Sequence, residues 1–326
     1  MIKIAQLGAG RMGSIHARNA AANPRLDLAY LVDPRPEVAG ELATEIGAEL
    51  AGFEAVLADP DIKGVIVASS TDAHLDNALA CLKAGKMVFC EKPLDLDLAR
   101  LVQHEAELKD RPIFVAFNRR FDPHFAALAA KVASGAIGEL ETLHLINHDP
   151  AAPPAHFVPT SGGLFKDFTI HDFDVAAWLV GEPFSEIFAF ASCLVDPMIG
   201  ELGDVDTARV ILKTAGGKIV MISNTRRSGC GYDQRIEAFG SKGMAMAGNP
   251  SPTTVARWTE AGEASDALYP GFLSRYAGAY AAEMDHFADM LEGKAISAAG
   301  FEASVASLKL AEAAARSVAI GAPVNL

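Results

Sequence analysis

Over the first third of the chain, short apolar runs alternate with longer stretches in which apolar and polar residues mix. The runs IKIAQL, LDLAYLVD, GVIVASS, MVFCE and PIFVAF read as strands. Between them, a stretch from Ser14 and the segments DAHLDNALACLKAG and LDLARLVQHEAELK read as helices. This alternation predicts parallel βαβ units, because a strand covered by helices on both faces is apolar throughout. From about residue 139 the texture changes to longer, more polar strands: ELETLHLINHD, EIFAFASCLVD, DTARVILKT, KIVMISNT and QRIEAFG. Within DTARVILKT, Ala208, Val210 and Leu212 alternate with Thr207, Arg209 and Lys213, the period of a sheet covered on one face only. Hairpin-type glycines stand at Ala215-Gly216-Gly217-Lys218 and Gly240-Ser241-Lys242-Gly243. Two helical stretches follow, near 272–291 and 301–318. The pattern therefore predicts an α/β chain. Residues 1–120 form a doubly wound parallel sheet, and residues 121–326 an α+β domain with a large, mainly antiparallel sheet, its C-terminal helix packing back on the first domain.

Composition narrows the functions open to such a chain. With 326 residues it exceeds the usual size of one hydrophobic core, in keeping with two domains. Lys and Arg number 28 against 41 Asp and Glu, a net charge of −13, with no basic run to track a phosphate backbone, so nucleic acid is not an expected partner. No apolar stretch reaches the roughly 18 residues of a spanning helix, since charges such as Lys131 and Asp174 interrupt the candidates. The start, Met1-Ile2-Lys3-Ile4-Ala5, is already strand-like and lacks the pattern of a secretory signal. The expectation is a soluble, cytoplasmic protein. Cys81, Cys90, Cys193 and Cys230 show no paired spacing and read as buried free thiols, and no metal-ligand cluster is evident.

Three motifs carry candidate chemistry. The first, Gly8-Ala9-Gly10-Arg11-Met12-Gly13, lies between the first strand and a helix. Glycines suit a tight turn, close approach of the backbone to a pyrophosphate, and a helix N-terminus facing that anion. Asp33 ends the second strand 20 residues past Gly13, where a carboxylate accepts hydrogen bonds from an adenine ribose and repels a 2′-phosphate. NAD is thus favoured over NADP, while Arg35, two residues on, keeps NADP open. An adenosylmethionine-dependent methyltransferase shares a glycine-rich first loop but leaves the later motifs unexplained.

Ser69, Ser70 and Thr71 end the strand GVIVAS, at the sheet edge where ligands bind in open parallel sheets. His74 either touches that ligand or merely stands at the helix start. The second motif, Glu91-Lys92-Pro93, ends the next strand at the same edge, so Lys92 points toward the nicotinamide end of the crevice and Lys92-Pro93 is a candidate cis bond. A surface Glu91–Lys92 pair is the alternative. The third motif, Gly162-Gly163-Leu164-Phe165-Lys166-Asp167-Phe168-Thr169-Ile170-His171-Asp172-Phe173-Asp174, leads into the helix VAAWLV. Asp167 and His171, four apart, share a helix face, and histidine is the side chain whose proton moves both ways near neutral pH. An ordinary surface pair is the alternative here.

In this order and spacing the three motifs resemble the Gfo/Idh/MocA family of nicotinamide-dependent oxidoreductases, over essentially the whole chain. The segments Asn224-Thr225-Arg226-Arg227, Gly231 to Gly243 and Arg275 to Tyr280 are similar to its inositol-oxidising branch. The resemblance implies a Rossmann domain binding NAD and a catalytic trio of Lys92, Asp167 and His171. It implies cofactor contacts from the glycine loop, Asp33, Ser69, Ser70, Thr71 and Glu91, to which Arg35, His74 and Lys92 are added as candidates from their positions. Asn118 and Arg119 in FNRRFDP match positions close to substrate and nicotinamide, Tyr232 matches a pocket residue, and His148 and Tyr280 are further candidates. The implied reaction is oxidation of a ring secondary hydroxyl of a cyclic polyol, myo-inositol to its 2-keto product, by a homotetramer joined through open sheet faces. Oxidation of scyllo-inositol, another isomer or an aldose, and a non-catalytic dinucleotide sensor of the same fold, stand as alternatives.

Overall fold

The computed structural model describes residues 1–326, which divide into two compact units: residues 1–121 with 278–308, and residues 122–277 with 309–326. In the first, β1 (Ile2–Leu7), α1 (Arg11–Ala22), β2 (Leu26–Val32), α2 (Pro36–Ile46), β3 (Glu49–Leu50) and α3 (Phe53–Ala58) form one half. The chain then crosses to β4 (Gly64–Val67), α4 (His74–Lys83), β5 (Met87–Cys90), α5 (Leu98–Gln103), α6 (Glu105–Leu108) and β6 (Ile113–Val115). The strands are parallel in the order β3-β2-β1-β4-β5-β6, and the near-continuous burial of β1, β4, β5 and β6 accords with a sheet covered on both faces. The order reverses between β1 and β4, the kind of switch point beyond whose carboxyl ends open parallel sheets bind ligands. Helix α1 begins at Arg11, a turn earlier than Ser14, since N-terminal N–H groups need no partner within the helix. The expected helix LDLARLVQHEAELK is two short ones, capped by the Asp97 carboxylate and interrupted at His104, which leaves helical dihedrals.

The second unit contains α7 (Pro123–Ala133), β7 (Leu140–His148), α8 (Ile170–Val180), β8 (Phe184–Ser192), α9 (Pro197–Glu201), β9 (Thr207–Thr214) and β10 (Ile219–Thr225). It continues through β11 (Asp233–Gly240), β12 (Gly243–Ala247), β13 (Ala256–Thr259), β14 (Gly262–Ser265) and α10 (Phe272–Arg275). Seven strands pair in the order β12-β11-β7-β10-β9-β8-β15, where β15 is Val324–Asn325. All neighbours are antiparallel except β7 and β10. One face is buried through Leu143, Leu145, Val210, Leu212, Val220 and Ile222; the other is open. The exposed hairpin β13–β14 is separate, and its polar sequence lacks the alternation that marks a half-buried strand.

Helices α11 (Ala277–Leu291) and α12 (Phe301–Ile320) complete the chain, and residues 278–308 lie in the first unit. There the Phe287 ring fills the space beside Gly64, where a Cβ would sit 2.7 Å from it, and Val115 donates its N–H to the Ala299 carbonyl at 2.7 Å. All four thiols are free; Cys81 and Cys90 are buried, whereas Cys193 is half-buried and Cys230, in the loop between β10 and β11, is exposed.

Candidate active site

The glycine loop is built by close approach. Gly8 has φ +99°, and a Cβ on it would lie 2.2 Å from the Ala68 carbonyl oxygen at the end of β4. A Cβ on Gly13 would lie 2.3 Å from the Gly8 carbonyl oxygen, so loop and helix could not meet. A Cβ on Gly10 would meet no protein atom within 4 Å. Gly10 precedes helix α1 as its N-terminal cap and offers no capping side chain, which leaves the first N–H groups for an anion. The buried Gln6 amide donates to the carbonyls of Gly8 (2.8 Å) and Gly13 (2.7 Å) and holds the turn closed. A dinucleotide pyrophosphate therefore fits beside Gly10, Arg11 and Met12.

Asp33, its side chain only 3% exposed, accepts the Ala9 N–H at 2.8 Å on Oδ2, and the Arg35 N–H (2.9 Å) and Nε (3.2 Å) on Oδ1. Burial raises its pKa, but these donors outweigh burial and hold the carboxyl below its usual range. A carboxylate has about four acceptor sites, so room for a ribose hydroxyl remains on Oδ2. Arg35, 57% exposed, flanks it. Ser69 accepts the Asn77 amide at 3.1 Å, and Ser70 leads into the tight turn Thr71–Ala73.

At the end of β5 the Glu91 carboxylate turns inward. Its Oε1 lies 2.6 Å from His16 Nε2, and Oε2 accepts the Lys92 N–H at 3.1 Å. Burial raises the Glu91 pKa, and the His16 hydrogen bond and nearby positive charge overcome that, leaving it below the usual value. The Lys92–Pro93 bond is cis. His74 is buried, with Nδ1 2.8 Å from the Pro93 carbonyl and Nε2 3.1 Å from the Ser69 carbonyl, so both ring nitrogens face the backbone rather than a ligand. Asn118 and Arg119 are buried in a single tight turn, Asn118–Phe121, after β6. Tyr280 packs edge-on to the His16 ring at 6.0 Å. The glycine loop, Asp33, Ser69 to Thr71 and Lys92 thus follow the carboxyl ends of β1, β2, β4 and β5, along one edge of the sheet.

In the second unit, Gly162 and Gly163 both have left-handed φ, +83° and +81°, and the Leu164 N–H is received by Asp204 at 3.1 Å. Residues Phe165–Thr169 then form a π-turn that runs into α8. Asp167 sits in the wider turn and His171 in the α-helix after it, so the α-helical four-residue spacing applies only in part to this pair. Buried Arg226 donates to Asp167 (3.0 Å) and Asp149 (3.0 Å) and lies 4.4 Å over the Phe168 ring. Burial lowers its pKa and the two carboxylates more than reverse this. Behind His171, Asp172 accepts the amides of Asn147 (2.9 Å) and Asn224 (2.8 Å); Thr169 donates to Asn224. Gln234 donates to Asn147 and accepts from the Tyr276 hydroxyl, and Tyr232 packs edge-on to Tyr276 at 5.9 Å.

His148 is not brought to this group. Asn147 points to α8, and successive strand residues point to opposite faces, so His148 lies on the open face with Ser223 (3.0 Å) and Asp233 (3.6 Å). Its pKa is lowered, first by burial. Sequence reasoning gives Arg226 no role beyond its place in a branch-like segment, and Gln6 and His16 are participants that it missed. Their signal was a polar residue at an apolar position: Gln6 inside a buried strand, and His16 on the α1 stripe of Gly13, Ala17 and Ala20.

Comparison with known proteins places these observations. Residues 2–117 match the family model described as an oxidoreductase family with an NAD-binding Rossmann fold, and residues 125–246 match the GFO/IDH/MocA C-terminal domain. The chain is 42% identical over 320 residues to an inositol 2-dehydrogenase of Rhizobium meliloti, covering 98% of this chain and 97% of that one. A myo-inositol dehydrogenase structure from Corynebacterium glutamicum is 40% identical with a TM-score of 0.95, covering 100% and 99% of the two chains. A scyllo-inositol dehydrogenase from Lactobacillus casei, solved with NAD(H) and scyllo-inositol, is 28% identical with a TM-score of 0.90, covering 100% and 99%. The chain belongs to the Gfo/Idh/MocA family of oxidoreductases, with its NAD-binding Rossmann domain at the N-terminus.

Proposed function

We propose that this protein oxidises one ring secondary hydroxyl of a cyclic polyol with NAD+, converting myo-inositol to 2-keto-myo-inositol. The observation that carries this reading is 42% identity over nearly the whole chain to an inositol 2-dehydrogenase, in a sequence that contains Lys92, Asp167 and His171 as well as the dinucleotide loop. Bound NAD+ supplies the hydride acceptor. His171 takes the hydroxyl proton as hydride leaves the same carbon. Lys92 donates a hydrogen bond to the reacting oxygen and stabilises the charge developing there. Asp167 keeps His171 or a neighbouring hydroxyl in register, with its carboxylate oriented by Arg226. Asn118, Arg119, Tyr232 and Tyr280 are the proposed substrate contacts, and Asp33 accepts from the ribose.

A panel of inositol isomers and aldoses with NAD+ and NADP+, followed by nicotinamide absorbance, tests the reading. Myo-inositol should give the highest kcat/KM, and NAD+ should exceed NADP+ by about tenfold or more, roughly 1.4 kcal/mol. A scyllo-inositol or aldose preference would replace the substrate, equal use of both cofactors would remove the role given to Asp33, and no turnover with any would leave a dinucleotide sensor.

The reading extends to assembly as a homotetramer in the cytoplasm, where the nicotinamide dinucleotide pool is. Support for self-association comes from the open face of the seven-stranded sheet. There Phe190, Ile211, Ile219, Met221, Phe239, Met244 and Met246 are exposed, and strand register sets Ile211 beside Met221 and Phe239 beside Met244. A second copy presenting the same face is the occupant such a patch suits.

A further inference from the structure

We propose that His16 and His74 are positioning residues that fix the backbone on both sides of Lys92. The inference rests on the role given to Lys92 above. A lysine ammonium rides on a flexible four-carbon stem, so where it can reach depends on how firmly its backbone is held. On the N-terminal side, the Glu91 carboxylate bridges two donors, His16 Nε2 at 2.6 Å and the Lys92 N–H at 3.1 Å. The His16 ring is itself clamped edge-on by Phe89 (4.8 Å) and Tyr280 (6.0 Å). On the C-terminal side, His74 sets Nδ1 2.8 Å from the Pro93 carbonyl and Nε2 3.1 Å from the Ser69 carbonyl; both oxygens only accept, so the ring donates to whichever faces an N–H.

These ties lead back to the cofactor. His16 stands on α1, which begins at the glycine loop, and His74 opens α4, three residues after Thr71. The lysine is therefore indexed to the two segments proposed to hold the dinucleotide. Stability alone is a weak reason for the arrangement, because a buried ion pair is often no more stabilising than apolar residues of the same volume. Geometric specification of Lys92 accounts for a polar pair set against Phe89, whose ring in turn packs on Phe114 and Phe287.

The test is a set of variants in two backgrounds. His16→Phe keeps the ring packing and removes the bond to Glu91; it should lower kcat about tenfold or more while NADH affinity by calorimetry changes less than about threefold. His16→Gln, whose amide can donate to Glu91, should recover most of that loss. His74→Leu should repeat the kcat effect. In a Lys92→Ala background, His16→Phe and His74→Leu should change kcat by less than about twofold, because residues that act through one group lose their effect once it is gone. Equal factors in both backgrounds would overturn the inference while leaving the role of Lys92 intact. A Lys92→Ala enzyme at full turnover would instead sink the functional reading. Should His16→Phe fail to fold, Glu91→Gln, which keeps the shape of the side chain, carries the same two-background comparison with the same two outcomes.

Discussion

Glu283, in the middle of α11, is the least compensated residue of the first unit: it is fully buried and neither carboxylate oxygen has a hydrogen-bond partner. Burial first, and then the charge of Glu91, push its pKa well above the ordinary value of 4.5. The sign of the consequence follows from proton counting. Above the unfolded value, the unfolded chain releases this proton and the folded chain keeps it, so stability falls as pH rises toward the folded pKa. Glu283→Gln has no proton to lose. The variant should match the wild type most closely near pH 4.5 and gain on it at up to about 1.4 kcal/mol per pH unit above that, until the folded pKa is reached. Denaturant unfolding of both proteins at pH 5, 6.5 and 8 measures the gap, and a gap that stays constant or narrows with pH would contradict the assignment.

At the scale of the element, the turn between β1 and α1 separates glycines that serve the fold from one that serves the ligand. Gly8 needs its left-handed φ and has the Ala68 carbonyl where a Cβ would go. Gly8→Ala should therefore destabilise the protein by roughly 2 kcal/mol or more. Gly10 has φ −68°, an ordinary value for alanine, and open space at the Cβ position. Gly10→Ala should melt within about a degree of the wild type yet bind NADH about tenfold or more weakly, since its methyl group would occupy the pyrophosphate's place. Thermal melts with and without NADH separate the two. Unchanged NADH affinity in Gly10→Ala would show that the pyrophosphate lies elsewhere. At the π-turn Phe165–Thr169 the wider turn changes which side chains align, and Arg226, just past the end of β10, orients Asp167.

At the scale of the whole molecule, the open sheet face is the surface proposed above for association between copies. Ile211 and Met221 are register neighbours on adjacent strands with their side chains in solvent. Placing a charge in the middle of an apolar contact between copies costs several kcal/mol through desolvation, whereas on a free surface it costs almost nothing. Met221→Glu should thus shift the light-scattering mass of the purified protein downward without lowering the melting temperature of the smaller species by more than a few degrees. An unchanged mass, or a wild-type protein that is already monomeric, would remove this face as the interface.

The division of labour between sequence and structure follows from the range of the interactions involved. Apolar periodicity and glycine spacing are local, so the alternating βαβ order, the dinucleotide turn, Asp33 at the end of β2 and the half-covered sheet of DTARVILKT are legible along the chain. The same is true of Lys92 at a strand end, because a strand's polarity and its neighbour's placement fix which edge it reaches. Side-chain partners distant in sequence are not local, and there only the tertiary structure decides. His16 finds Glu91 across 75 residues, Arg226 finds Asp167 across 59, and Asn224 finds Asp172 across 52. His148 is the converse case: one residue of strand register puts it on the face opposite Asn147, and that register depends on how β7 pairs with β10 and β11. Residue type and spacing thus mark where the candidate groups stand along the chain, while packing between elements determines which carboxylate each cation meets and which face each strand residue takes.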